Sequence, residues 1–273
     1  MSIVLPKQPY FVMTTTKYYK SMVLNYGISH FYSFMMDEIK DDAMMAVPDG
    51  CIDILFCCDS HSPSAKVCGT VLQPSYTFAR KNCYYFGVRF LPGHIPCLCH
   101  VNMAEVLAQE IPLEALLKDK DMFYKIVESR DFAYQQKVFL KTYLKHYAPY
   151  TAFNVKNNLH NFIVNRMVST AGNISIQELS QETGYTQRYI NQTFRLSYGM
   201  SPKIFCRMMR FQYLLDNLGL ETDFIDYADL AVAAGYYDQP HMVKEFKAFS
   251  MNTPKKYLNE LRKENYSGRL IIL

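Results

Sequence analysis

No stretch of this chain approaches the roughly 18 uncharged apolar residues that a membrane-spanning helix needs, so no membrane partner is expected. The opening residues, Met1-Ser-Ile-Val-Leu-Pro-Lys7, lack a basic segment followed by a long apolar run, which argues against a secretory signal. Glycine and proline are sparse, 11 and 12 in 273 residues. With 49% apolar and 20% charged residues, this excludes collagen-like, low-complexity and disordered architectures. No Gly-x-Ser-x-Gly elbow, phosphate-binding glycine loop or His-Glu-x-x-His motif is present. The chain is therefore read as not an enzyme, with no cofactor and no metal. Eight cysteines, two of them adjacent (Cys57, Cys58), suit a reducing cytoplasm better than a disulfide scaffold in a chain of this size. The length suggests two domains.

Negative charge is missing from one region. No acidic residue lies between Glu182 and Asp216, while Arg188, Arg195, Lys203, Arg207 and Arg210 fall inside that gap. A surface that approaches phosphates gains from each cation and is penalised by each carboxylate, so the gap is an electrostatic footprint even though the net charge is only +4. A second basic group, Lys244, Lys247, Lys255 and Lys256, is diluted by Glu245. A solvated helix face would look the same, so charge raises the question without answering it.

An internal repeat carries the argument further. Leu179 and Gly184 recur 51 residues later as Leu230 and Gly235; Ile190, Phe194, Pro202 and Phe205 recur 52 residues later as Met242, Phe246, Pro254 and Tyr257. Each copy reads as helix, tight turn, helix. Ser175-Ile-Gln-Glu178 is a capping box, and Asp226 with Asp229 plays that part in the second copy. Gly184 and Gly235 stand where a helix ends in a left-handed residue. The pairs Ile190/Phe194 and Met242/Phe246, spaced i, i+4, mark the buried side of the next helix. Ser201-Pro202 and Thr253-Pro254 then open a third helix in each copy. Val155 to Met167, with Val155, Leu159, Phe162 and Ile163 on one face, supplies a leading helix. Paired helices also build solenoids and bundles, but two copies are fewer than a solenoid usually needs, and the basic charge falls on the groove-facing segments of a helix-turn-helix.

The stretches Glu178-Leu-Ser-Gln-Glu-Thr-Gly-Tyr185 and Gly235-Tyr-Tyr-Asp-Gln-Pro-His-Met-Val-Lys-Glu-Phe246, continuing to Thr253-Pro-Lys-Lys-Tyr257, resemble the DNA-binding domain of the AraC/XylS family of bacterial transcription regulators. The resemblance spans about residues 154–264. It implies two helix-turn-helix units joined by a long helix, here Pro202 to about Leu215, with Arg207, Leu214 and Leu215 at matching places. Four positions depart from the family pattern: Met242 replaces the usual Phe, Met251 the usual Gly, Phe211 the usual Ala, and Pro240 a small polar residue.

With Ile190 and Phe194 inward, Arg188, Asn191 and Gln192 point outward, at positions matching the family's base readers. Arg suits guanine, and Asn and Gln suit adenine. The matching set in the second unit is Gln239, His241 and Lys244. Thr186, Arg195, Arg207 and Lys247 are read as phosphate contacts, which position the protein without reading sequence.

The first 110 residues read differently. Ile28–Met36, Cys51–Cys57, Val67–Leu72 and Cys83–Phe90 are short runs rich in Tyr, Phe, Val and Ile. Turn signals such as Pro48-Asp-Gly50 and Pro92-Gly93 separate them. Helical spacing follows from Asn102 to Leu117 and from Met122 to Tyr147, where Phe139, Leu140, Tyr143, Leu144 and Tyr147 form one stripe. A linker is expected near 148–153. Pro48-Asp-Gly-Cys-Ile-Asp-Ile-Leu-Phe56 and Gly87-Val-Arg-Phe-Leu-Pro-Gly93 resemble the β-rich N-terminal domain of one branch of the same family. Arg89, inside an apolar strand, needs a partner if buried, and Asp49 or Asp53 can supply it, a structural pair being preferred to an anion site.

The fold class expected is α+β. A small β-barrel or sandwich, cupin-like and with helices, fills residues 1–150, and an all-α double helix-turn-helix domain fills 151–273. The function expected is a cytoplasmic bacterial transcription regulator, read as an activator, that binds double-stranded DNA sequence-specifically and contacts RNA polymerase. Its N-terminal half would take a small-molecule effector or form a homodimer. Two alternatives stand beside this. One is a thiol- or metal-responsive regulator using His94, Cys97, Cys99 and His100, although that spacing does not suit structural zinc. The other is a cupin-type enzyme fused to a DNA reader. Against it, the seven histidines (His30, His61, His94, His100, His146, His160, His241) include no His-x-His pair.

Overall fold

The computed structural model describes residues 4–36, 43–98, 101–116, 120–153, 158–218 and 226–273. The chain opens with a short helix α1 (Pro9–Thr14) and strands β1 (Tyr18–Asn25), β2 (Ile28–Met35), β3 (Ala43–Ala46), β4 (Asp53–Cys57), β5 (Ser64–Cys68), β6 (Ser75–Phe78) and β7 (Tyr84–Phe90). After α2 (Met103–Val106) and β8 (Glu110–Pro112) come α3 (Asp121–Val127), α4 (Phe132–Phe153) and α5 (Asn158–Ser169). The helical half continues with α6 (Ile176–Thr183), α7 (Gln187–Tyr198), α8 (Pro202–Asn217), α9 (Tyr227–Ala233), α10 (Gln239–Ser250), α11 (Pro254–Lys263) and α12 (Tyr266–Arg269). A last strand, β9 (Leu270–Ile272), follows.

Seven strands form one sheet in the order β8-β5-β4-β7-β2-β1-β9, and β3 and β6 form a two-stranded ribbon. Neighbours in the large sheet are antiparallel except β1 and β9, which run parallel. Both faces are covered, so its central strands are apolar nearly throughout. One face presents Phe31, Ile54, Phe56, Phe86 and Val88 to a core shared with Phe123 of α3 and Phe139 and Tyr143 of α4. The other carries Tyr32, Phe34, Leu55 and Tyr85 beneath α1 and the ribbon, with Tyr18 stacked on Tyr32 at 5.4 Å and Phe34 on Tyr85 at 5.1 Å.

The helical half follows its local signals. Ser175 and Glu178 cap α6 reciprocally, Gly184 ends it at φ +74°, and Ser201 and Thr253 cap α8 and α11 ahead of prolines. Asp226 caps α9.

Three expectations are corrected. The helix expected over 102–117 is not one helix over the described residues 102–116, Leu117 lying outside them: α2 spans four residues, and the chain then pairs as β8 with β5, Val67 opposite Ile111. Pro112 is tolerated because β8 is an edge strand. The expected linker at 148–153 is the last part of α4, which continues past Pro149 to Phe153 and gives up one backbone bond there. The strand placed at Val67–Leu72 begins earlier, at Ser64, and ends at Cys68. Val155, in the expected leading helix, lies outside the described residues, and α5 begins at Asn158.

The two halves share cores. The sheet's inner cluster runs on into Ile163 and Met167 of α5 and into Leu179, Ile190, Phe194 and Phe205. A second cluster joins Tyr10, Met13, Met45 and Val47 to Phe211, Leu214, Met242 and Phe246. At Gly50 (φ +71°) a side chain would meet the ring of Phe205 at 2.9 Å, so a bare backbone lets α8 approach the sheet. Polar contacts fix the register. Gln212, fully buried on α8, accepts from the Lys7 amide at 2.7 Å and donates to the carbonyls of Lys7 (3.3 Å) and Pro48 (2.9 Å). Among the described residues no helix is long and apolar enough to cross a membrane.

Candidate nucleic-acid interface

Helix α7 is the second helix of the first unit. Thr186 caps it, its Oγ1 accepting from the Tyr189 amide at 3.2 Å. Ile190, Phe194 and Tyr198 are buried, which turns Arg188, Gln192 and Arg195 to solvent with Asn191 half-exposed beside them. Arg188, Asn191, Gln192, Arg195 and Leu196 line one open groove along this face. Asn191 Nδ2 donates to the Gln187 carbonyl at 2.9 Å, which orients its amide on the helix.

Helix α10 repeats the arrangement. Asp238 caps it through the His241 amide at 2.8 Å, standing 52 residues after Thr186, as the repeat requires. Met242 and Phe246 are buried, and Gln239, His241, Lys244 and Lys247 are exposed. Pro240 sits in the first turn, where its missing N–H costs nothing.

Arg207 stands apart from the other expected contacts. Its Nε donates to Glu245 Oε1 at 2.5 Å, and its guanidinium lies 5.1 Å over the Phe249 ring. Glu245 is buried between Arg207, Arg210 (4.0 Å) and His241 (4.0 Å). Arg207 thus joins α8 to α10. In the sequence Glu245 reads only as a dilution of basic charge, and its buried role has no local signal there. Asp238 did have one, since the repeat places a cap there. Tyr185 and Tyr189 stack at 5.1 Å at the entry to α7 and Tyr237 stands at the entry to α10, all three exposed and none singled out by a local pattern in the sequence.

Both acids that bound the acid-free stretch are paired away from α7. Glu182 takes a bidentate bond from Arg166 of α5 at 2.6 and 2.7 Å, and Asp216 pairs with Lys7 at 2.7 Å.

A second site lies in the sheet half. Tyr32, Asp49, Asp53, Lys66, Thr70 and Arg89 face a cavity of about 340 Å³ between the large sheet and the β3–β6 ribbon. Arg89 Nε donates to Asp53 Oδ1 at 2.8 Å, a second guanidinium nitrogen binds Asp53 Oδ2, and Asp49 lies 3.6 Å away. All three groups are buried, so Arg89 has the structural partners its strand position demanded.

The His94 cluster resolves only in part. His94 stacks on Phe90, its Nε2 is 3.3 Å from the Tyr143 hydroxyl, and burial lowers its pKa to about 4. Burial also raises the Cys97 thiol, while Cys99 and His100 lie outside the described residues. Among the described residues no three His, Cys, Asp or Glu side chains gather closely enough to hold a metal ion.

Comparison with known proteins gives two family matches. Residues 179–260 match the model of a helix-turn-helix domain, and residues 21–112 match a domain of unknown function, DUF6597. No curated protein matches the chain. Among solved structures it is similar to ToxT from Vibrio cholerae (14% identity, 89% of this chain and 97% of that one, TM-score 0.43). The C-terminal domain of the two-component response regulator yesN from Fusobacterium nucleatum is similar over a shorter span (22% identity, 38% of this chain and 98% of that one, TM-score 0.33). So is a probable AraC family transcriptional regulator from Rhodopseudomonas palustris (22% identity, 38% and 93%, TM-score 0.32).

Proposed function

We propose that residues 179–260, which match a helix-turn-helix domain, bind DNA in the manner of the AraC type, and that the chain is a sequence-specific transcription regulator reading DNA with α7 and α10. The observation that carries this is the outer face of α7. Arg188, Asn191, Gln192 and Arg195 share one exposed groove, and the acids at either end of the stretch are paired elsewhere. Two such helices on one frame enter the major groove about one turn (~34 Å) apart, so one copy covers an asymmetric site. Arg188, Asn191 and Gln192 read one half of it, and Gln239, His241 and Lys244 the other. Arg195, Lys247 and the free hydroxyl hydrogen of Thr186 contact phosphates. Arg207 acts chiefly by holding Glu245 and so the pose of α10.

The division follows the sequence reading, with residues 1–150 as the effector or dimerisation part and 151–273 as the reader. The cavity beside Arg89 is the place for a small effector. An effector acts by binding one docking arrangement of the two halves more tightly than another, and activation through RNA polymerase at a promoter in the bacterial cytoplasm is the outcome proposed.

The test uses duplexes selected by the protein from a random pool. Arg188→Ala is expected to cost about 1–3 kcal/mol on the selected duplex, the worth of one bidentate base contact, and much less on a scrambled one. Gel-shift titrations at fixed salt compare the two. Equal losses on both duplexes would remove Arg188 from base reading.

A further inference from the structure

The second unit is tied to the sheet by the segment that follows α11. Strand β9 adds to the edge of the large sheet beside β1, with Tyr18 opposite Leu270, Tyr19 opposite Ile271 and Lys20 opposite Ile272. The Leu273 amide extends the ladder, donating to the Lys20 carbonyl at 2.8 Å. An open strand edge displays unpaired N–H and C=O groups, and β9 covers these on β1. Three parallel residues are a weak attachment alone, but Arg269 reinforces it. Its guanidinium donates to the carbonyls of Met13 and, at 2.8 Å, Thr15, and meets Glu264 Oε2 at 3.1 Å. Met13 lies in the last turn of α1 and Thr15 just beyond it, so Arg269 places its cation at the C-terminal end of that helix, where positive charge is favoured. Tyr266 packs against the second unit's core and the sheet's aromatic face together. Also from α1, the Tyr10 hydroxyl donates to the Ser250 carbonyl and accepts from Asn252 Nδ2, both at 3.1 Å. The first unit, by contrast, sits on the sheet half through apolar packing, with Gly199 against Leu107 and Ala104.

We propose that residues 269–273 are a strap that sets the orientation of the second helix-turn-helix unit, and hence the phase between α7 and α10, with Arg269 and the Leu273 amide as its positioning groups. The structural part stands on the contacts above; the meaning for DNA rests on the function proposed for α7 and α10.

The full chain is tested as Arg269→Ala and, separately, Leu273→Pro, which deletes the amide donor. Asn259→Ala, an exposed change on α11, is the control. Amide hydrogen exchange is expected to quicken about tenfold or more in β1 and α9–α11 of both strap variants, with α6–α7 and the control unchanged. Unaltered rates in α9–α11, or equal quickening in α6–α7, would overturn the strap. In parallel, each variant is titrated with the wild-type-selected duplex and with copies scrambled in either half-site. The strap variants should lose most of the discrimination at the half-site of α10 and keep that of α7. Intact discrimination by α10 despite faster exchange also overturns the proposal. If wild-type protein selects no duplex, the DNA-reading proposal fails, and the exchange result still decides whether the strap orients the unit.

Discussion

Met251 ends α10 in the left-handed region, φ +61°, where its counterpart in the first unit, Gly199, ends α7 at +69°. A side chain there costs about 1–2 kcal/mol, and Met251 recovers little by packing because it is mostly exposed. Met251→Gly is therefore expected to stabilise the chain by about 0.5–1 kcal/mol after the extra unfolded-state entropy of glycine is subtracted, read from the midpoint of urea unfolding. This strain was legible through the family resemblance, in which Met251 stands where Gly is usual. Phe211 was legible only as a departure. The structure shows what it does, since its ring fills the space between Phe246 and Phe249, 5.4 Å from each. The outward positions of Arg188, Gln192 and Lys244 followed from helical period alone. The pairing of Arg207 with Glu245 did not, because a residue on α8 meets one 38 positions later on another helix.

Elements whose cause is local were readable, and those whose cause is a distant partner were not. Caps, prolines and glycines announced α6 to α11. Strand β1 mixes Lys20, Ser21 and Asn25 with apolar residues, and β6 begins at a serine that reads as a turn. Both exist because another strand pairs with them. Strand β9 is the extreme case, three residues whose partner lies about 250 positions earlier. The link between α8 and α10 invites a test at this scale. Arg207→Ala leaves the buried Glu245 without its nearest cation and is expected to cost about 1–3 kcal/mol, while Glu245→Gln in the same background costs much less than it does alone. A double-mutant cycle by chemical denaturation measures the coupling; additive losses would dissolve the link. In gel-shift titrations Arg207→Ala should also lose discrimination at the half-site assigned to α10 and keep that at the half-site of α7, because it loosens the pose of α10 alone.

For the molecule as a whole, buried titrating groups set a window of stability. Burial holds His94 at about 4 and His30 well below its usual range, so the unfolded chain takes up protons first and stability falls as pH drops from about 6.5 toward 4. At the other end, burial raises Cys58 to about 12, Cys206 to about 11 and Tyr10 to about 12. The unfolded chain then loses protons first, and stability falls above about pH 9. Lys20, lowered to about 8, opposes this between 8 and its usual 10.5, but one lysine is outweighed by several thiols and phenols. Urea midpoints under reducing conditions should peak between about pH 6.5 and 9; a profile still rising at pH 10 would mean these thiols and phenols are accessible in the fold. The seat of Gln212 has a mechanical consequence. Helix α8 spans Pro202–Asn217 and is gripped eleven residues in, so the grip acts as an off-centre fulcrum. A tilt of about 10° there carries the helix's start by roughly 2.6 Å and its end by roughly 1.3 Å the opposite way. Hydrogen bonds to base edges tolerate only a few tenths of an ångström, so, on the reading proposed for α7 and α10, a tilt of this size would throw one helix out of register with its bases while the other still grips.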